Sequence, residues 1–262
     1  MSIAEKLKIV AENQQKVYDA GFTAGQATGG DTDAAYQEGF DAGKQAEWDM
    51  FWDAFQENGK RTNYSSAFLQ SGWSKSIFKP KYNIQPTSAA DMFLFFNNNA
   101  KTVDEQVDFV QLANEQQIVF DFSQVTSFYR AFATGGISRL GTIDMSNATN
   151  TQYAFYGGYG SMKLHTIELL ICSEKTVFYN DCFGAANSLK NLRIEGTIGS
   201  DISLKTSPYL TKASIESIMN ALSNTATDKT ATFNKTAVNN AFTTDEWNAL
   251  AATKPNWTIT LA

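Results

Sequence analysis

Four carboxylates recur at nearly regular intervals in the middle of the chain and are its best candidates for binding chemistry. They are Asp121, Asp144, Glu168 and Glu195, and successive members lie 23, 24 and 27 residues apart. Each falls in a short apolar segment that has the composition of a β-strand. In parallel neighbouring strands these carboxylates would form a column with a spacing of about 4.8 Å.

Such a column has two interpretations. It could bind Ca²⁺, amines or sugar hydroxyls, because closely spaced carboxylates attract cations and accept hydrogen bonds. Alternatively, it is a solvated outer face whose charges keep strand edges from pairing with other chains. We favour the second interpretation, and we predict no metal site.

Aromatic side chains form a second candidate binding surface. Tyr156, Tyr159 and Tyr179 lie beside Phe155 and Phe178 in two adjacent segments of the repeat. Tyrosine rings suit both sugar rings and the hot spots of protein interfaces. We expect Phe155 to lie in the core. For the tyrosines we favour packing between turns over a free binding surface.

Catalytic signals are weak. His165 is the single histidine, and we expect it to be structural or on the surface. The glycine-rich segment 157–160 lacks the Lys-Ser/Thr of a phosphate-binding loop and predicts a turn. Cys172 and Cys182 are too few for a disulfide framework or a structural zinc site, so buried thiols are expected and a single bridge stays open. The chain is therefore predicted to be no enzyme and to need no cofactor.

These candidates are positioned by a degenerate repeat. A threonine precedes a phenylalanine by six residues in three copies and by seven in a fourth; the pairs are Thr87/Phe93, Thr126/Phe132, Thr149/Phe155 and Thr176/Phe183. Four strand copies follow, at 119–122, 142–145, 166–169 and 192–195. Spacing in the twenties predicts a solenoid of the leucine-rich-repeat kind, an architecture that displays surface far more often than it catalyses.

The N-terminal residues predict oligomerisation. Apolar and polar positions spaced by four and three residues form about three heptads, with the seam Ile3, Leu7, Val10, Gln14 and Val17. Leucine at one core position with β-branched residues at the other favours trimers or tetramers. An amphipathic helix docked on its own chain is the alternative.

The fold class predicted is α+β: N-terminal helices that form a possible trimeric coiled coil, then an irregular leucine-rich-repeat-like solenoid. Four segments follow from this: a helical stalk at 1–57, a connector and N-terminal cap at 58–85, the solenoid at 86–206 and a C-terminal cap at 207–262. An extra helix is expected over Val103–Leu112. The cap is predicted to contain a helix at Lys212–Leu222, a hairpin-like stretch at Thr230–Phe233, a short helix from Thr244 and a closing strand at Trp257–Leu261.

The composition of the chain argues against certain classes of partner and location. The formal charge of −6 and a sequence pI near 4.9 argue against a nucleic-acid partner, which would favour a basic stripe. The sequence contains no run of about 18 apolar residues, so it predicts no membrane-spanning helix. The first residues lack the basic and apolar regions of a secretory signal, which predicts that the protein is made in the cytoplasm and at first stays there.

Several segments resemble one family. The repeats at 86–206 resemble the bacterial surface-antigen (BspA-type) class of leucine-rich repeats, although Phe, Ile and Met stand where leucine is usual. The ending, with Leu210–Met219, Thr243–Trp247 and Trp257–Leu261, is similar to the terminal module of such proteins in prophages of gut Firmicutes. The opening at 12–21 and Phe51–Phe55 are similar to the leader of the same phage proteins.

The resemblance implies a virion component of the tail, baseplate or a fibre, synthesised in the bacterial cytoplasm and assembled into the virion. Its expected partners are other virion proteins or a host-surface ligand, and trimerisation would multiply weak contacts into avidity. Two alternatives stay open. One is an intracellular interaction protein, such as a blocker of host defence, and the other is a glycan depolymerase, which would need paired carboxylates in a cleft.

Overall fold

The computed structural model describes residues 49, 51–57, 59–69, 78–97, 100, 102, 105–157, 163–179 and 181–262. The chain divides into two compact units, one of Met1–Arg61 with Pro80–Asn83 and one of Thr62–Lys79 with Ile84–Ala262. The predicted heptad seam of Ile3, Leu7, Val10, Gln14 and Val17 lies outside the described residues. The segment boundaries at 58, 86 and 207 stay predictions.

In the first unit, the side chain of Gln56 joins residues 51–55, which are helical, to the segment at 80–83. Its Oε1 accepts from the backbone N–H of Lys81 at 2.9 Å and of Tyr82 at 3.0 Å, and its Nε2 donates to the Tyr82 carbonyl at 2.9 Å. Asp53 accepts from the Tyr82 hydroxyl and from Lys81 Nζ, and these two bonds lower the pKa of the Asp53 carboxyl. The buried amide is therefore matched on both its donor and its acceptor side.

The second unit contains a four-stranded parallel sheet. Its strands are β1 (Val107–Asp108), β2 (Ile137–Asp144), β3 (Thr166–Cys172) and β4 (Asn191–Gly196), and their order in the sheet is the order in the chain. A short helix, α1 (Phe109–Gln116), follows β1. The inner face is apolar; its buried side chains include Leu140, Ile143, Ile167, Leu170, Leu192 and Ile194.

A second parallel sheet of three strands follows in the same unit. It contains β5 (Ile202–Leu204), β6 (Lys229–Phe233) and β7 (Trp257–Leu261), again in chain order. Parallel neighbours need crossover connections, and helices supply them here. The helix α2 (Lys212–Ala221) connects β5 to β6, and the helices α3 (Lys235–Ala241) and α4 (Thr244–Ala252) connect β6 to β7.

The predicted fold class is wrong. The described residues form an α/β structure with two parallel sheets, and not an α+β chain with a leucine-rich-repeat-like solenoid. The intervals between strands do not repeat one unit: α1 lies between β1 and β2, whereas α2 lies between β5 and β6. Because α2 packs beside β4, the first sheet ends there and a second sheet begins.

Local predictions had mixed outcomes. The predicted strands at 166–169 and 192–195 are confirmed within β3 and β4, as are the helix from Lys212 and the strand Trp257–Leu261. The strand predicted at 142–145 overlaps only the last three residues of β2, which begins five residues earlier. The segment 119–122 contains one isolated bridge, between Phe120 and Ile84. The helix expected over Val103–Leu112 begins at Phe109, because Asp108 accepts from the N–H groups of Val110 and Gln111 and caps it there.

The hairpin-like stretch Thr230–Phe233 was also predicted wrongly. It lies in β6, the central strand of the second sheet, and pairs in parallel with both β5 and β7. Its two threonines, Thr230 and Thr232, suit a strand that is paired on both edges, since β-branched side chains pack well on a pleated surface.

The four repeated phenylalanines and Phe68 form one continuous stack in the core. Their rings lie face to face in the order Phe68, Phe93, Phe132, Phe155, Phe183, with successive centroids 4.9, 5.6, 5.6 and 5.2 Å apart. The angles between successive ring planes are 18°, 11°, 5° and 17°. No ring in this stack is more than 3% exposed. We call these five residues the phenylalanine ladder.

Backbone hydrogen bonds run along the phenylalanine ladder. Phe93 N–H donates to the Ala131 carbonyl at 2.7 Å, Phe132 N–H to Ala154 at 2.9 Å and Phe155 N–H to Cys182 at 2.8 Å. The residue two positions before each of these rings has a positive φ: 55° at Asp91, 51° at Arg130 and 58° at Tyr153. A residue in the left-handed conformation makes each turn tight, and alternate N–H groups of that turn then point toward the carbonyl groups of the next turn.

The start of α4 provides a test by pH. Thr243 and Glu246 form a reciprocal capping box, with Glu246 N–H bonded to Thr243 Oγ1 at 3.2 Å and Thr243 N–H bonded to Glu246 Oε2 at 2.8 Å. Glu246 also accepts from Lys212 Nζ of α2 at 2.9 Å. The Thr243 backbone N–H and Lys212 lower the pKa of the Glu246 carboxyl from 4.5 to about 2.

We predict that Glu246→Gln reduces the acid dependence of stability. A carboxyl whose pKa falls on folding stabilises the protein above its unfolded pKa, and this contribution disappears as the pH falls from 4.5 through about 2. The difference in urea midpoint between wild type and Glu246→Gln should therefore shrink between about pH 6 and about pH 2. Asp245→Asn, one residue earlier, is the matched control. A difference that is constant over this range would contradict the prediction.

Candidate functional site

A surface groove beside the first sheet is the candidate binding site. It has a volume of about 700 Å³ and lies between the outer face of β3 and β4 and the helix α2. Its polar lining comes from Thr166, Glu168, Asn191, Arg193, Glu195, Thr211, Ser214, Glu216, Ser217 and Asn220. We call it the β4–α2 groove.

Two serines of α2 fix the helix against the edge of β4. Ser214 Oγ accepts from Leu192 N–H at 2.9 Å and donates to the Lys190 carbonyl at 3.0 Å. One helical turn later, Ser217 Oγ accepts from Ile194 N–H at 2.8 Å. The serines thus take the place of a neighbouring strand. They accept hydrogen bonds from alternate amides of β4, whose outer edge pairs with no other strand among the described residues.

The start and the buried face of α2 fix which of its side chains line the groove. Thr211 is the N-cap, and its side chain accepts from Ser214 N–H. Ile215, Ile218 and Met219 are buried on the face toward the core, which leaves Glu216 and Asn220 on the side that lines the groove. At the other end Lys254 Nζ donates to the Leu222 carbonyl at 2.6 Å, and burial lowers the pKa of this ammonium group.

Charges alternate across the outer face of the sheet. Arg139 of β2 lies 3.6 Å from Asp108 of β1 and also pairs with Glu168 of β3. On β4, Arg193 pairs with Glu195. The Glu168 carboxylate raises the pKa of the Arg139 guanidinium. The face is therefore a row of ion pairs that ends in the groove.

The predicted single column of carboxylates does not form. Asp144 and Glu195 both lie in register with Ile171, so they share one level of the sheet with an apolar residue between them. Glu168 lies three residues earlier along β3, where it meets Arg139. Asp121 is outside the strands.

Asp121 and Asp144 have a common local role. Each accepts from the N–H two residues later, Ser123 for Asp121 at 3.0 Å and Ser146 for Asp144 at 2.8 Å. The Ser123 hydrogen bonds lower the pKa of the Asp121 carboxyl. These two carboxylates therefore shape turns, and the groove contains only Glu168 and Glu195 of the predicted four.

The aromatic candidates separate into core and surface. Phe155 and Phe178 are buried, which confirms the expectation for Phe155. Tyr156 packs edge-to-face on Tyr153 at 5.0 Å and covers Gly184, where a Cβ atom would lie 2.7 Å from its ring. Tyr179 is 42% exposed. Tyr159 lies outside the described residues.

The surroundings of the remaining chemically active side chains shift their pKa values. Burial, and then the charges of Lys190 and Lys163, lower the pKa of His165, so its imidazole is neutral at physiological pH. Cys172 and Cys182 are free and buried, as expected, and burial raises the pKa of both thiols to about 12. A thiol with this pKa is not a nucleophile at neutral pH.

Several groove residues were not found from the sequence. Arg193 and Glu216 look like ordinary exposed charges on a strand and a helix. Ser214 and Ser217 did leave a signal, because two hydroxyls three residues apart sit next to the apolar positions Ile215 and Ile218. Polar residues at that boundary indicate a helix that hydrogen bonds to its neighbour.

The described residues contain neither a candidate metal site nor a membrane-spanning helix. Among the described residues, no three or more His, Cys, Asp or Glu side chains are grouped so that they could hold a metal ion. The helices in that part of the chain are also too short or too polar to cross a membrane.

Comparison with known proteins gives no relative: no family model matches the sequence, and neither the curated proteins nor the solved structures contain a match.

We predict that Ser214→Ala destabilises the protein by about 1–3 kcal/mol, because it leaves a buried N–H of β4 without its acceptor. Asn220→Ala, at an exposed position of the same helix, should change stability by less than about 0.5 kcal/mol. Urea unfolding followed by circular dichroism measures both. Equal stability of the Ser214→Ala variant and the wild type would show that the serine does not hold α2 on β4.

Proposed function

We propose that the chain is a non-enzymatic structural protein of a phage virion, in the tail, baseplate or a fibre, and that it binds a host-surface ligand or another virion protein. The observation that carries the binding function is the β4–α2 groove. Its walls are a sheet and a helix fixed to each other by hydrogen bonds, so the site is formed before a ligand arrives.

The groove chemistry supports binding more than catalysis. Glu168 and Glu195 both lie in ion pairs with arginines, and such paired carboxylates serve as hydrogen-bond acceptors. Their exposed side chains, 39% and 49% of the free area, remain open to a ligand. Glu216 adds a third carboxylate from the opposite wall. Three acidic groups against Arg193 suit a ligand that presents ammonium, guanidinium or hydroxyl groups.

The assignment to a virion rests on the sequence resemblance. The segments Leu210–Met219 and Trp257–Leu261, which resemble the terminal module of prophage proteins, form α2 and β7 of the second unit. The N-terminal heptads support association into a homotrimer, which would bring three grooves to one surface. The acidic composition supports a partner that is not a nucleic acid.

The proposal is tested by fluorescent labelling of the full chain and its binding to host cells. Glu216→Lys reverses one charge inside the groove and should weaken binding at least about tenfold. Glu115→Lys makes the same change on an exposed position of α1 and should leave binding unaltered. Mass spectrometry of purified virions should detect the chain.

Three outcomes would overturn the proposal. Equal binding by the Glu216→Lys and wild-type chains would place the ligand elsewhere. Absence from virions together with capture of one cytosolic protein would favour the intracellular interaction protein. Release of reducing ends from host cell-wall glycan by the wild-type chain, and its loss in Glu195→Gln, would favour a depolymerase.

A further inference from the structure

Among the described residues, no strand pairs with the outer edge of β7. Both backbone groups of Ala262 form hydrogen bonds on the side of β6. Its N–H donates to the Phe233 carbonyl, and its carbonyl accepts from the Lys235 N–H. Because alternate residues of a parallel strand face the same neighbour, Thr258 and Thr260 also face β6. Ile259 and Leu261 therefore direct their N–H and C=O groups away from β6. No partner for these four groups exists among the described residues.

The last strands of the two sheets differ in how their free edges are covered. The free edge of β4 is closed by Ser214 and Ser217 of α2. In the part of the chain that the structure describes, nothing comparable covers the edge of β7, and the strand Trp257–Leu261 contains no charged residue and no proline. Charges and prolines are the usual devices that keep an edge strand from pairing with another chain. Their absence marks an edge that is compatible with strand addition.

Apolar surface accompanies the unpaired backbone. Leu261 is 37% exposed, and Ile259, on the same face of β7, is half-buried. Thr258, Ile259 and Thr260 are all β-branched, which favours extended backbone. A partner strand must therefore match two unpaired residues and cover Leu261.

We propose that β7 pairs antiparallel with β7 of a second copy of this chain, across a two-fold axis that passes next to Thr260. In this register Ile259 of each copy lies opposite Leu261 of the other, and four backbone hydrogen bonds satisfy all the outward groups of both residues. The two three-stranded sheets become one six-stranded sheet. Leu261 of each copy then packs against Ile259 of the other.

The chemistry of the edge selects a second copy over a different partner. An uncharged strand offers no complementarity to a charged segment, but two such strands meet without repulsion. An isologous contact also needs no other sequence, since the same two residues supply every donor and acceptor. Strand addition of this kind derives its stability from main-chain bonds and its register from side chains.

Cross-linking of the full chain tests the register. Thr260→Cys places two thiols in a non-hydrogen-bonded pair with Cα atoms about 4.5 Å apart, a distance that suits a disulfide. Mild oxidation should then give a covalent dimer. Thr258→Cys is the matched control on the same face of the same strand. Its Cα atoms would lie four residues out of register, about 13 Å apart, too far for a disulfide.

A second variant tests the edge itself. Ile259→Pro removes an outward N–H without removing a bond to β6, so the subunit should fold while the dimer is lost. Added to Thr260→Cys, it should abolish the cross-link, with circular dichroism confirming the fold. A cross-link in Thr260→Cys alone supports the proposal. No cross-link, equal cross-linking of Thr258→Cys, or a cross-link that persists with Ile259→Pro overturns it.

Discussion

The phenylalanine ladder is the interaction on which the second unit depends. Its rings span from Phe68 to Phe183, so residues that are far apart in the chain share one continuous aromatic column. Hydrophobic burial drives the stacking, and face-to-face contact adds a smaller term for each pair. The column also fixes the level of each turn, because the amide beside one ring bonds the turn that holds the next. A bidentate pair between Arg130 and Asp91 strengthens one of these steps on the outside.

The candidate site follows from that constraint. Once the turns are stacked, β2, β3 and β4 must lie in parallel and in register, and the ion pairs Arg139–Glu168 and Arg193–Glu195 appear on the outer face. The sheet would continue past β4 if another strand followed. Ser214 and Ser217 stop it by satisfying the edge amides from a helix. The groove is therefore the place where the first sheet ends.

Part of this was predictable from the sequence. The Thr/Phe repeat contained four of the five rings of the ladder, and the strand copies located β3, β4 and the end of β2. The register was not predictable, because the distance from Asp144 to Glu168 suggested alignment while the turn between β2 and β3 shifts Glu168 by three residues. The architecture was missed for a related reason: spacing shows that strands recur but not which edges pair. Thr230–Phe233 read as a polar hairpin because nothing local shows that its neighbours are β5 and β7.

Native-state hydrogen exchange of the ladder amides tests the central claim most directly. If the phenylalanine ladder holds the second unit together, the amides of Phe93, Phe132 and Phe155 should exchange only through global unfolding. Their exchange free energies should then equal the unfolding free energy measured with urea. Exchange of these amides through local openings of lower free energy, while amides of the second sheet stay protected, would contradict the account and place the stabilising core in the second sheet.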